Sequence, residues 1–429
     1  MSGVLSWRNA VAATYGASGV AFASWVSRIP AIRDDLALSP GSVGILLMCM
    51  TVGAFASVSA SGLIVLRLGP RRTTRVGALM FAVGVCLAGV GATVLGQAGV
   101  VGAGLAIIGL GTASWNTASN VEGAAVERAL GRHIMPRLHG SFSLGTVLGA
   151  GLGAGAAAIH LPVLWHFAAA AAVVLASVWI AAGYYQSERT TAGPELVDTV
   201  ADLNADPATG PIPLVDSPLV DGPVPTLDGK ARIKAAWRDK RTLLLGVLVL
   251  GLSLAEGAAG DWVALAMADG YGSTNAIGAL GYGLFVSAMT LGRFAGTVLL
   301  DRYGRVAVLR FCAGTAIAGL ALFVFAPNQW VALGALVLWG LGSSLGFPVG
   351  MSAASDDPEN AAARVSVVST IGYGAFLCGP PLLGLLAEHV GVLHSLLAVL
   401  VMLAVGFILT PYVHHPRTPA ASVPQDADR

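Results

Sequence analysis

The stretch LLLGVLVLGLSLAEGAAGDWVALAM, residues 243–267, decides the fold of this chain. It contains no Lys or Arg. Its length matches the roughly 20 apolar residues that a helix needs to cross a hydrocarbon layer about 30 Å thick. Two carboxylates, Glu256 and Asp261, interrupt it. An acid near the centre of a bilayer costs about 2.5–3.5 kcal/mol on insertion scales, unless it faces water, meets a partner or carries a proton. Glu256 falls within the hydrocarbon layer and Asp261 near its outer surface, and the rest of the sequence indicates what use such acids have.

The chain has 429 residues, of which 55% are hydrophobic and 11% charged. Soluble domains carry roughly 25% charged residues, so this chain cannot coat a water-facing surface. Its 56 glycines would weaken helices in water, but in lipid small residues let helices approach closely. A net charge of +1 gives no footprint for a nucleic acid. The cysteines, Cys49, Cys86, Cys312 and Cys378, fall in separate apolar runs and read as small buried hydrophobes. The first apolar run begins after Arg8 and contains Ala21-Phe22-Ala23, which looks like a cleavage site. The run continues past that site to Ile29, so it reads as a span and not as a signal peptide.

Twelve apolar spans are expected: 9–29, 42–66, 74–95, 98–121, 140–159 and 161–185, then 242–267, 276–300, 305–326, 329–354, 365–387 and 391–412. Arg28 and Arg33 lie in the first loop between spans and Arg293 lies inside a span, while every other Lys and Arg falls on the side of the two termini. The positive-inside rule therefore makes both termini cytoplasmic, in an inner membrane. The landmarks repeat. Ser24-Trp25 precedes LRLGPRR (66–72) and Asp261-Trp262 precedes DRYGRVA (301–307), with 44 residues from Trp25 to Gly69 and 42 from Trp262 to Gly304. The expected fold is an all-α membrane protein of twelve transmembrane helices in two six-helix pseudo-symmetric bundles, with a site between them. Residues 1–185 form the first bundle and 242–413 the second. Between them, 186–241 reads as a cytoplasmic linker, disordered where it is rich in Pro and Asp and then basic and amphipathic around Ile233 and Trp237. A topology-setting charge cluster explains that basic part equally well, and 414–429 reads as a disordered tail.

The stretch GRFAGTVLLDRYGR, residues 292–305, resembles the cytoplasmic loop signature of the major facilitator superfamily. The first-half copy, GLIVLRLGPRR (62–72), keeps Gly62, Gly69, Arg71 and Arg72 but has Leu66 where the family pattern has Asp. Within the superfamily, ASWVSRIPAIRDDLALS (23–39), WNTASNVEGAAVER (115–128), HGSFSLGTVLGA (139–150) and EGAAGDW (256–262) are similar to a bacterial branch near the fucose permeases. Three departures stand out. Span four lacks the arginine of drug–proton antiporters, and the Gly-Pro element sits in GAFLCGPPLLG (374–384) instead of span five. The fucose permease acid of span one is missing as well.

The resemblance implies that spans one, four, seven and ten line a central cavity. Asn116 and Asn120 share a helical face with Thr112, beside Trp115. They are candidate substrate contacts, with hydrogen bonding between helices as the competing reading. Tyr15 on span one, Trp339 and Phe347 on span ten and Tyr373 on span eleven are candidate walls, with ordinary packing as the alternative. Glu256 is the first candidate for proton coupling, followed by Asp261 and Glu122. Asp261 also fits a helix-end acid or a partner for Arg28. The gating candidates are Arg71, Arg302, Arg305 and Arg364, together with a pair between Asp301 and Arg137 when the cytoplasmic side closes. Arg364 is expected to find Asp356, Asp357, Glu359 or water.

No Walker loop, nucleophile–base motif or metal-ligand spacing occurs, so neither ATP coupling nor enzymatic activity is expected, and no cofactor. The expected function is secondary active transport of a small sugar-like or otherwise polar solute by alternating access, coupled to protons, by a monomer in the lipid bilayer. A multidrug exporter, an uncoupled facilitator and a non-transporting sensor are the alternatives.

Overall fold

The computed structural model describes residues 2–130, 134–186, 229–354, 356 and 360–414. These residues are helical almost throughout, with no strand among them. In the first half of the chain, α1 (Ser2–Val26) leads through a tight turn into the short α2 (Ile29–Asp35). They are followed by α3 (Pro40–Val90), α4 (Ala98–Leu130), α5 (Met135–Ala158) and α6 (Val163–Ala181). In the second half, α7 (Gly229–Ala236) precedes α8 (Lys240–Tyr271), α9 (Asn275–Val324), α10 (Gln329–Ser343) and α11 (Gly346–Ala354). The chain continues as α12 (Ala361–Val390), α13 (Val392–Ser395) and α14 (Leu397–Leu409).

Helix starts follow local capping chemistry. The hydroxyls of Ser39 and Thr274 and the side-chain oxygens of Asp239 and Asn328 accept backbone N–H groups at the starts of α3, α9, α8 and α10. Two helices run through a bend at the repeated landmark. Gly69 in α3 has φ 77° and ψ 158°, and Gly304 in α9 has φ 75° and ψ 163°. This backbone region is open in practice to glycine alone, so the expected pairs of spans 42–66 with 74–95 and 276–300 with 305–326 are each joined through one glycine bend.

Eleven described stretches are long and apolar enough to cross a membrane. The helix α1 is not among them, because Thr14, Tyr15 and Ser18 interrupt its hydrocarbon and are buried inside the protein. It ends at Val26, short of the expected Ile29, because the chain turns there into α2. The expected span 329–354 is broken at Ser344 and Leu345. Pro348 supplies the reason: it has no N–H to give to the carbonyl of Ser344, four residues earlier. The linker expected to be disordered lies outside the described residues except for Gln186 and the residues from 229, and so does the tail from 415.

Close packing relies on small residues. A Cβ added to Gly84 of α3 would lie 2.6 Å from the carbonyl oxygen of Gly104 of α4, and one added to Gly104 would lie 2.6 Å from that of Gly84. The two ends of the molecule differ. At the end that carries α2, one apolar core joins Trp25, Ile29 and Leu46 of the first half to Trp262 and Leu265 of the second. Polar contacts tie the halves there as well: Arg33 pairs with Asp269, Asn275 Nδ2 donates to Asp34 Oδ2 at 3.2 Å, and Ser39 Oγ donates to Glu388 Oε1 at 2.7 Å. At the opposite end Trp7, Val11, Tyr15, Met135 and Leu138 form a small cluster within the first half and Ala236, Ala363 and Val367 one within the second, while Phe294 of α9 lies against Gly140 of α5 across the halves.

Candidate functional site

A cavity lies between the halves, bounded by α1, α3, α4 and α5 on one side and α8, α9 and α12 on the other. On α8, Glu256, Gly257, Gly260 and Asp261 recur at helical spacing and share the face turned to the cavity. On α9 the same face presents Tyr282, Phe285, Met289 and Arg293.

Glu256, which the sequence left without a partner, has one. Arg293 Nη2 donates to Glu256 Oε1 at 2.7 Å, with the Glu256 side chain 6% exposed and that of Arg293 25%. Arg293 Nε also donates to the carbonyl of Ser344 at 3.3 Å. That carbonyl is free because of Pro348, so the break between α10 and α11 helps hold the arginine. The sequence did carry a signal for this pair. Arg293 lies well inside an expected span, whereas the other cations fall in loops or toward span ends, and such an intramembrane charge implies a partner of opposite sign. Asp261 is half-buried on the same wall and makes no described hydrogen bond or ion pair. Arg28 does not reach it. Its Nη2 donates instead to the carbonyl of Leu161 at 2.6 Å. Burial raises the carboxyl pKa of Asp35 in the same loop, partly offset by the charge of Arg28.

The opposing wall is polar but neutral. Ser18 Oγ donates to Asn116 Oδ1 at 2.9 Å, and both residues line the cavity. One turn away Tyr15 donates to Asn120 Oδ1 at 2.5 Å, behind the wall and fully enclosed. Trp115 is buried against Gly77 and does not line the cavity. Trp339 packs behind α9, its ring 5.4 Å from Phe285 and 5.9 Å from Phe323. Phe347 and Tyr373 face each other at 6.3 Å between α11 and α12, also off the cavity. The described lining contains no residue of α10 or α11. Aromatic walls come from residues that the sequence did not mark as walls: Phe22 and Trp25 of α1, Tyr282 and Phe285 of α9, and Phe376 of α12.

Glu122 is fully buried away from the cavity, where its Oε1 accepts Trp7 Nε1 at 2.6 Å and the backbone N–H of Gln186 at 2.8 Å. Among the gating candidates, Asp301 and Arg137 are both exposed and form no ion pair with a described residue. Arg305 donates to Asp356 Oδ1 at 2.6 Å and to Ser352 Oγ at 2.9 Å, and Arg241 holds Asp356 Oδ2 at 2.9 Å. Arg302 lies over the ring of Tyr303 at 5.4 Å, and Arg71 is half-buried. The charge of Arg364 reaches Asp239, while Asp357 and Glu359 lie outside the described residues.

A family model described as Major Facilitator Superfamily matches residues 11–375, and a second match covers 262–429. The chain belongs to the major facilitator superfamily. It is 29% identical to an uncharacterised transporter of Sinorhizobium fredii, over 92% of this chain and 97% of that one. It is 26% identical to the membrane protein MosC of Rhizobium meliloti, over 94% and 88% of the two chains. Among solved structures it resembles the nucleoside transporter NupG, with TM-score 0.67 and 13% identity over 95% of this chain and 98% of that one. It also resembles the fucose:proton symporter FucP of E. coli, with TM-score 0.53 and 17% identity over the same shares. At such identities these two facilitators share the fold, and the chemistry of the cavity is this chain's own.

Proposed function

We propose that this facilitator is a secondary active transporter that moves a small polar organic solute across the inner membrane in exchange for, or together with, protons. In this reading α1 is the twelfth spanning helix, the two halves are six-helix bundles, both termini are cytoplasmic, and the monomer is the working unit. The observation that carries the reading is a cavity between the halves whose described lining holds two carboxyl groups and a guanidinium, those of Glu256, Asp261 and Arg293. The end bearing α2 is tied across the halves by polar side-chain contacts, whereas the small apolar clusters near the termini each lie within one half and a contact across the halves there is that of Phe294 with Gly140. That asymmetry fits one state of an alternating-access cycle, open toward the cytoplasm. Closing that side brings Asp301 to Arg137, and Arg71, Arg302, Arg305 and Arg364 remain at that gate.

For the proton, Asp261 now precedes Glu256, because Glu256 is already compensated by Arg293. We assign Glu122 a holding role, since it ties Trp7 to Gln186 away from the solute's path. Ser18 and Asn116 contact solute, with Tyr15 and Asn120 positioning them from behind. Trp115, Trp339, Phe347 and Tyr373 support the helices that move. The test is counterflow and pH-gradient-driven uptake in proteoliposomes, with solutes chosen by thermal-shift screening of purified protein. Accumulation driven by the gradient and lost in Asp261→Asn supports the reading. Gradient-independent equilibration identifies a facilitator, and ligand-induced stabilisation without flux identifies a sensor.

A further inference from the structure

The formal charges on the cavity wall do not cancel. Arg293 is engaged by Glu256 and by the carbonyl of Ser344, which leaves the carboxylate of Asp261 without a described counterion. These three are the charged side chains of the described lining, Tyr282 is its other titratable group, and the α1, α3, α4, α5 and α12 walls add none. His139 of α5 stands near Arg293, behind the lining. While Asp261 is ionised, a neutral solute would leave it uncompensated among mostly apolar and otherwise uncharged side chains, and an anion would add repulsion. A cation would cancel the charge. The rings of Phe22, Trp25, Tyr282, Phe285 and Phe376 share the same cavity, and aromatic faces attract organic ammonium groups through their quadrupoles.

We propose that the solute carries a protonated amine, with Asp261 as its counterion and the aromatic side chains as walls for the rest of the cation. This rests on the transport reading for the identity of the cavity, and it names the substrate class. It also supplies a coupling rule. One carboxylate holds either the ammonium ion or a proton, so each amine cation that leaves is replaced by one proton, and the exchange moves no net charge. Ser18 and Asn116 then face the polar remainder of the solute.

The experiment compares amines with matched neutral molecules on the purified full-length protein: glucosamine against glucose, and benzylammonium against benzyl alcohol, with benzoate as the anion. Binding is read from ligand-dependent thermal unfolding and calorimetry. A charge-assisted hydrogen bond corresponds to about a tenfold to hundredfold gain in affinity. At least one amine should therefore bind tenfold or more tightly than its neutral partner, and lowering the pH should weaken it by competition. In Asp261→Asn that preference should vanish, whereas Asp261→Glu should keep part of it. The inference is overturned if no amine outbinds its neutral partner, if benzoate binds best, or if Asp261→Asn keeps the preference. Flux separates the two levels of the argument. Transport of a neutral solute without amine preference would sink this inference alone, and amine preference without flux would sink the transport reading alone.

Discussion

On α1 and α4 the polar side chains at the cavity satisfy one another: Ser18 donates to Asn116, and behind them Tyr15 donates to Asn120. On α8 and α9 the cavity carries charge, with Glu256 and Arg293 compensating each other and Asp261 left over. Two halves with the same landmarks have thus diverged into a neutral wall and an ionic one. Hydroxyl–amide pairs are inexpensive to break in a membrane, about 0.6 kcal/mol on average. Buried ion pairs are expensive to break by removing one member, about 3–5 kcal/mol, because the survivor is an uncompensated charge. The neutral wall can therefore exchange partners with a solute, while the ionic wall must be neutralised at every stage of a cycle.

The largest expected effect lies in the ionic wall. Glu256→Ala should strand the Arg293 guanidinium and destabilise the protein by about 3 kcal/mol, somewhat less than for a fully enclosed pair because water reaches the arginine. Replacing both residues, Glu256→Gln with Arg293→Met, should recover most of that loss. Thermal or denaturant unfolding in detergent measures both. If the single and double variants unfold alike, the two side chains do not depend on each other and the contrast between the walls collapses.

The backbone should show the opposite pattern, with equal effects in both halves. Gly69 and Gly304 hold nearly the same positive φ and extended ψ, and nothing lies within 4 Å of a Cβ built at Gly304. A substitution at Gly304 would meet no steric neighbour, so its cost is conformational strain alone, about 1–3 kcal/mol. Gly304→Ala and Gly69→Ala should each lower unfolding stability by that amount and by similar amounts. A large inequality would mean that the two bends are not equivalent, whatever their dihedral angles.

A smaller effect belongs to the start of α8, where Asp239 caps the helix. Its Oδ2 accepts the Thr242 N–H at 2.9 Å and the Thr242 hydroxyl at 2.6 Å. Burial by itself raises the carboxyl pKa, but these hydrogen bonds and the charge of Arg364 outweigh it and hold the pKa below the ordinary value of 3.8. A lowered carboxyl pKa adds stability that is present above the unfolded value and is lost as pH falls through the folded one. Asp239→Ala should therefore cost about 1 kcal/mol near neutral pH. The difference from the native chain should shrink below pH 3.8. A pH-independent difference would assign the effect to packing.

The fold was legible because its signals are local. Span lengths follow from runs of hydrocarbon, and both bends follow from glycines at matching places in the repeat. The break in α10–α11 was also written locally, in Pro348, but only its effect on Ser344 and Arg293 reveals its use. The cavity was less legible. Helical periodicity puts Asn116 and Asn120 on one face, yet the first lines the cavity and the second lies behind it, paired with Tyr15. Trp115 and Trp339 have the spacing of wall residues but are drawn toward glycines, Gly77 beside the first and Gly319 beside the second. Which of several faces meets a small-residue groove is a property of the neighbouring helix. The partner of Glu256 was missed for the same reason, since Arg293 lies 37 residues away on the next helix.

The smallest expected effect, that of Ser18→Ala, tests the neutral wall, and it should differ from that of Tyr15→Phe one turn away. Ser18→Ala removes a donor from Asn116 at the cavity surface, where the amide oxygen can turn to water or solute. The cost should be near the membrane average of about 0.6 kcal/mol. Tyr15→Phe removes the donor to Asn120, which is 1% exposed and whose Nδ2 has no described partner. An amide that loses a hydrogen bond without access to water bears a desolvation penalty of about 1–3 kcal/mol. Tyr15→Phe should therefore be the more destabilising change, although it removes the same kind of contact. Solute affinity should reverse the order. Ser18→Ala alters the surface that a solute touches and should weaken binding several-fold, whereas Tyr15→Phe should leave affinity nearly unchanged once the loss of folded protein is corrected for. If both variants affect stability and affinity in the same order, the two polar pairs act as one unit, and the line drawn between cavity surface and enclosed support does not exist on this wall.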